Sequence, residues 1–150
     1  MGVDRKKWFL SKFLFQIFTT TFLIFLSYIL CAYYTYFLFS KLSIYNTLAS
    51  TLLYILYILF ILSLTTFSSS LGNNAIQSAG IFFGIFILFN LLSIFLNFEQ
   101  YNPMSLSSLQ NQWIVNGAIW KDAFKNIIFT LLYSIILITI GIIYFDKQEL

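Results

Sequence analysis

Histidine is absent from these 150 residues, and cysteine occurs once, as Cys31. The first absence removes the usual base for an activated Ser or Cys nucleophile. The second removes any internal disulfide, and no cluster of metal ligands remains. Proline also occurs once, at Pro103. Charge is the scarcest property of all. Only Lys41 is ionised between Phe13 and Phe98, and nothing is ionised between Asn126 and Phe145. A charged side chain at the centre of a bilayer costs roughly 3 kcal/mol or more, so spans avoid it. Soluble domains carry about 25% charged residues, whereas this chain carries 9%. No G-x-x-x-x-G-K-[ST] phosphate loop occurs, so the chain does not bind ATP in that way. Catalytic, cofactor-binding and metal-binding residues are therefore not expected, and neither is enzymatic activity.

What is present is apolar. Hydrophobic residues make up 60% of the chain, with Phe at 19 and Tyr at 10. At about 20 residues per span, 150 residues hold about four helices and little else. The expected fold is an all-α membrane protein, a polytopic bundle of four transmembrane helices. Span A covers about 13–39, span B 47–68, span C 75–96 and span D 121–145. Residues 1–12 form a basic, interfacial segment, and 13–150 form one transmembrane domain. The apolar runs do not alternate, which excludes a β-barrel. The run after Lys12 exceeds a signal-peptide h-region and no A-x-A-like site closes it, so cleavage is not expected.

The loops are polar and short. Lys41 to Asn46 is a turn, and Ser69 to Asn74 is rich in helix-stopping residues. The segment from Asn97 to Trp120 is longer. Asn102-Pro103 reads as an Ncap–N1 pair. Leu106, Leu109 and Trp113 then share one face of a short amphipathic helix, which lies on the outer leaflet or dips into it before span D. The net charge is +3. Four of the eight cations, Arg5, Lys6, Lys7 and Lys12, lie in the first twelve residues. That density places the N-terminus inside, and four spans return the C-terminus to the same side. The pattern suits a plasma-membrane protein with both termini cytosolic and a lipid surface as partner, with no nucleic acid.

Helical phase locates the weakly polar positions. One stripe on span A holds Gln16, Thr20, Ser27, Cys31 and Tyr34. One on span B holds Asn46, Ser50, Tyr54, Tyr57, Thr65 and Ser68. One on span D holds Asn126, Thr130, Tyr133, Ser134, Gly141 and Tyr144. Span C carries two: Ala79, Gly80 and Gly84 as a small-residue face, and Asn90, Ser93 and Asn97 roughly 120° away. Small and hydroxyl residues are the usual contacts between membrane helices. The same residues also suit a path for an amphiphilic cargo, so packing and pathway both stay open. A proton or cation path would show a buried carboxylate, and the four spans contain none.

The run from Tyr101 onward, YNPMSLSSLQNQWIVNGAIW followed by span D and a charged tail, resembles the end of ABC-2-type permeases. There the fifth span is followed by an external segment with short helices and a last span. The opening, DRKKWFLSKFLFQ, resembles the stretch after that family's cytosolic coupling helix. Spans A to D would then match spans three to six of the usual six. The resemblance implies an exporter's membrane subunit, or part of one. Its partners would be an ABC ATPase that carries the ATP, and a second permease copy or complementary half. Arg5, Lys6, Lys7 and Trp8 are the candidate contact with that ATPase. The rival class is a small non-transport membrane protein of immunity or scaffold type.

Orientation is open to a direct measurement. Single cysteines at Ser43, Asn73 and Ser108 in a Cys31→Ser background should label from outside at 43 and 108 only. External labelling at 73 would reverse the topology.

Overall fold

A computed structural model describes residues 4–39, 43–95 and 98–147. They form an all-α four-span membrane bundle with a fifth, short helix inserted between the third and fourth spans. Helix α1 runs Arg5–Phe39, α2 Ile44–Leu71, α3 Ala75–Ile94, α4 Ser105–Asn116 and α5 Trp120–Lys147. A 3-10 turn at Phe98–Tyr101 precedes α4. The expected basic segment is not separate from span A: α1 begins at Arg5 and continues without a break. Lys41 and Asn97 lie outside the described residues.

Local chemistry sets the ends of these helices. Ser43 caps α2, its hydroxyl accepting from the Asn46 N–H at 3.4 Å. Asn74 caps α3, accepting from the Gln77 N–H at 2.8 Å, and the Gln77 side chain accepts from the Asn73 N–H at 3.1 Å. This reciprocal arrangement satisfies donors that a helix start leaves open. Gly117 ends α4 with φ +96°, a conformation that favours glycine. Its N–H donates to the Trp113 carbonyl at 3.2 Å.

Helix α2 is the axis: it touches α1, α3, α4 and α5, and α5 most extensively. At one end of the bundle, α1 starts where α5 finishes. Trp8 stacks on Phe145 with ring centroids 6.1 Å apart, Phe9 meets Phe145 at 5.2 Å, and Lys6 pairs with Asp146 at 3.0 Å. We call this the basic end, and the other the far end. The pair is exposed on both sides and contributes at most ~1 kcal/mol. The rings do more to tie the two helices together, because they remove apolar surface from lipid headgroups and water.

The core is small and asymmetric. One cluster joins Ala49, Leu53, Leu106, Trp113 and Ala123, and a second joins Phe60, Leu64 and Met104. Helix α3 has no buried residue, and on α1 only Phe13 is buried among the described residues. The outer faces of both are Phe, Leu, Ile and Tyr, as expected for surfaces that meet lipid rather than water.

The small residues divide by helix. A Cβ on Gly141 would sit 3.5 Å from Ser70 Oγ and 3.6 Å from Phe67 Cα, so α5 approaches α2 closely there. At Gly80 and Gly84 a Cβ would meet nothing within 4 Å, and Ala79 beside them is exposed. The close contact expected at the span C glycines is therefore not made by any of the described residues. Gly141→Leu should lower detergent stability by ~1–3 kcal/mol through overpacking. Gly84→Leu should leave the melting temperature of the monomer unchanged. Equal melting of both variants would remove the Gly141 seam.

Candidate functional site

The main irregular feature begins with sequence. Asn102-Pro103 cannot continue a helix, because proline lacks an N–H and restrains the residue before it. The chain turns there, and α4 starts two residues later, at Ser105 rather than at Pro103. Asn102 acts as an Asx turn: its Oδ1 accepts from the Met104 N–H at 3.1 Å, and its carbonyl accepts from the Ser105 N–H at 3.2 Å. Asn102 is fully buried. So are its neighbours Pro103 and Leu106, and Met104 nearly so.

This turn packs deep in the bundle, which agrees with the dipping alternative rather than with a helix resting on the leaflet. Met104 packs with Phe60 and Leu64, near and beyond the midpoint of α2. Leu106 shares a cluster with Leu53, about 14 Å along α2 from Ile44 at 1.5 Å per residue. Trp113, later on α4, meets Trp120 at 4.9 Å at the far end. Helix α4 therefore rises antiparallel to α2, from the middle of the bundle to its far end. The segment turns back inside the bundle before the fourth span begins.

Irregular backbone at membrane depth persists only where protein satisfies its polar groups. Two amides do this. Asn102 Nδ2 donates to the Phe89 carbonyl of α3 at 2.7 Å. Asn126 of α5 donates to the Glu99 carbonyl at 2.9 Å, to the Asn102 carbonyl at 3.4 Å and to Ser105 Oγ. Ser105 Oγ in turn donates to the Glu99 carbonyl at 2.7 Å. Two side chains and one hydroxyl thus join α3, the turn, α4 and α5. Above Asn126 the structure opens into a polar cavity of about 450 Å³, where Glu99, Lys121, Asp122 and Lys125 gather. Lys125 donates to Gln100 Oε1 at 3.1 Å and lies 5.8 Å from the Tyr101 ring centroid.

The polar stripes resolve into two kinds. Ser50, Ser63, Ser68, Thr130 and Ser134 are buried. Each hydroxyl donates to a carbonyl of its own helix, as Thr130 does to Asn126 at 2.6 Å and Ser134 to Thr130 at 2.8 Å. Ser50 does so to Asn46 at 2.8 Å. These form the seam between α2 and its neighbours. Thr20, Ser27, Cys31 and Tyr54 instead line a lateral cavity of about 570 Å³, with Gln110 of α4 at its edge. Gln110 Nε2 donates to Tyr28 Oη and ties α4 to α1 across that cavity. Tyr57 sits beside Tyr54 at 6.3 Å and packs into the core. Gln16 and Thr65 line a third cavity, at the basic end, with Trp8 and Lys12.

The remaining candidates are peripheral. Asn90 is exposed, and its Nδ2 donates to the Phe86 carbonyl at 2.8 Å; Ser93 donates to the Asn90 carbonyl at 2.5 Å. Arg5, Lys6, Lys7 and Trp8 form the first turns of α1, with Lys7 3.6 Å from Asp4. By sequence alone Asn102 is an ordinary cap and Asn126 one member of a stripe. The available signal was an amide inside an apolar run, which needs several partners. No family model, curated protein or solved structure matches this chain.

Asn102→Ala should destabilise the protein by ~1–3 kcal/mol, because it strands the buried Met104 N–H. Amide hydrogen exchange should rise across 99–106. Ser107→Ala, which removes only a bond to the Met104 carbonyl within the same turn, should stay within about 0.5 kcal/mol of wild type. Unchanged exchange in Asn102→Ala would mean the amide does not hold the turn.

Proposed function

We propose that this chain is a membrane-spanning permease subunit, or part of one, of an ABC-type exporter of the ABC-2 kind. The observation that carries the reading is the segment that turns back inside the bundle between the third and fourth spans, with a short helix before the last span and a charged tail after it. That order is what the family resemblance implies for the far end. The protein sits in the plasma membrane with both termini cytosolic. A separate ATPase chain carries the ATP, and the first turns of α1, Arg5 to Trp8, are its contact.

The open faces of α1 and α3 fit a subunit that works with a second copy or a complementary half. Gly80 and Gly84 offer that neighbour a close approach, since no described residue comes within 4 Å of a Cβ built on either. The lateral cavity beside Tyr54 is the candidate entry for an amphiphilic cargo. It combines hydroxyl groups with Leu23 and Ile24 and holds no charge.

A second reading is a small non-transport membrane protein of immunity or scaffold type. The buried hydroxyl seam favours it, because Ser50, Thr130 and Ser134 are committed to packing rather than to a path. The two readings separate by experiment. Purification from native membranes in mild detergent should retain an ATPase identified by its nucleotide-binding sequence. Tyr54→Phe should change export while membrane level and assembly stay constant. Absence of any such ATPase, with Tyr54→Phe silent, would favour the second reading.

A further inference from the structure

We propose that the cavity at the basic end binds the phosphodiester headgroup of an anionic phospholipid. The cavity measures about 340 Å³ and lies between α1, α2 and the end of α5. Its polar lining is one cation and several neutral groups: Lys12, Gln16, Ser69 and the threonines 65 and 66. No carboxylate lines it among the described residues. The nearby acids are already engaged, Asp146 with Lys6 at 3.0 Å and Asp4 with Lys7 at 3.6 Å.

Thr65, Thr66 and Ser70, which also lines the cavity, donate to carbonyls of α2, so the capacity to donate to a ligand rests with Lys12, Gln16 and Ser69. Lys12 Nζ lies 5.1 Å from the Trp8 ring centroid and makes no ion pair among the described residues. The Gln16 side-chain amide and the Ser69 hydroxyl donate no hydrogen bond among the described residues. Gln16 lies about 16 Å along α1 from Arg5 at 1.5 Å per residue and is exposed, so its amide is open to a ligand. An ammonium flanked by neutral donors, with no acid beside it among the described residues, selects an anion.

The walls decide between a lipid and a soluble anion. Phe9, Phe13 and Phe145 face the same space, and Trp8, half exposed, stands at the level where aromatic belts form. A charged mouth above aromatic walls matches a phosphate carrying acyl chains. The cation cluster also directs this end to the cytosolic leaflet, where anionic lipids concentrate.

The test is a native mass spectrometry titration of the full chain in neutral detergent. It uses phosphatidylglycerol and phosphatidylcholine of identical acyl chains. Wild type should prefer phosphatidylglycerol. Lys12→Gln should weaken that lipid by about tenfold or more, as a lost charge-assisted bond requires. Lys12→Arg should keep the preference. Lys7→Gln, at the same end but outside the cavity, should cost about fivefold at most through generic attraction. Ser69→Ala should weaken phosphatidylglycerol alone, and it keeps the test valid if Lys12→Gln does not fold. Equal affinity for the two lipids, or equal losses at Lys7 and Lys12, would overturn the site. Displacement of phosphatidylglycerol by millimolar inorganic phosphate would move it to a soluble anion and overturn the lipid assignment.

Discussion

A backbone turn in the middle of a membrane bundle must have each of its N–H and C=O groups matched by protein, because hydrocarbon supplies no partner. That constraint fixes the far half of this molecule. Asn102 uses both ends of its side chain, one on Phe89 of α3 and one on the Met104 N–H. Asn126 approaches from α5 and closes on Glu99 and Ser105. The same bonds that satisfy the turn also register α3, α4 and α5 against one another. Helix α4 then has room only beside α2, where Leu106 and Trp113 fill the space next to Ala49, Leu53 and Ala123.

The choice of amides rather than charges follows from the same environment. A buried carboxylate or ammonium would need a partner and several compensating bonds to offset its desolvation. An amide donates and accepts without that penalty. The ionised groups of this region, Glu99, Lys121, Asp122 and Lys125, collect instead around the polar cavity above Asn126. Among the described residues the other ionised groups lie at the basic end, and the bundle between is held by amides, hydroxyls and aromatic rings such as Phe60, Phe89 and Tyr133.

Packing is uneven, and the unevenness bears on function. The α2–α5 seam is built from small and hydroxyl residues whose polar groups are satisfied within their own helices. It acts as a rigid spine. Helices α1 and α3 lie against that spine and leave their outer faces to the bilayer or to another chain. The cavities follow this division: those near Tyr54 and Lys12 both use α1 as one wall. A helix with one buried residue is easier to displace than one whose whole face is covered, so α1 is the element on which binding would act most directly.

The four spans and the all-α class were legible in the sequence, because long uncharged runs leave a chain in lipid no other option; the start of the first was not, since α1 begins at Arg5, eight residues before the uncharged run at Phe13. The sequence also determined that one face of each span would be weakly polar, since phase along a helix is a local property. It marked Gly141 as a packing glycine. It placed Gly80 and Gly84 in the same class, yet only Gly141 meets a neighbour, since composition cannot say which face of a helix finds one. Asn102-Pro103 announced a turn but not its depth. Depth depends on Asn126, twenty-four residues away, and on the space left beside α2. Likewise, Ser50 and Ser27 are alike in sequence, one sealed in the seam and one open to a cavity. These differences arise when the helices pack, because burial and hydrogen-bond partners are relations between helices, and a single helix's sequence holds only its own half of each.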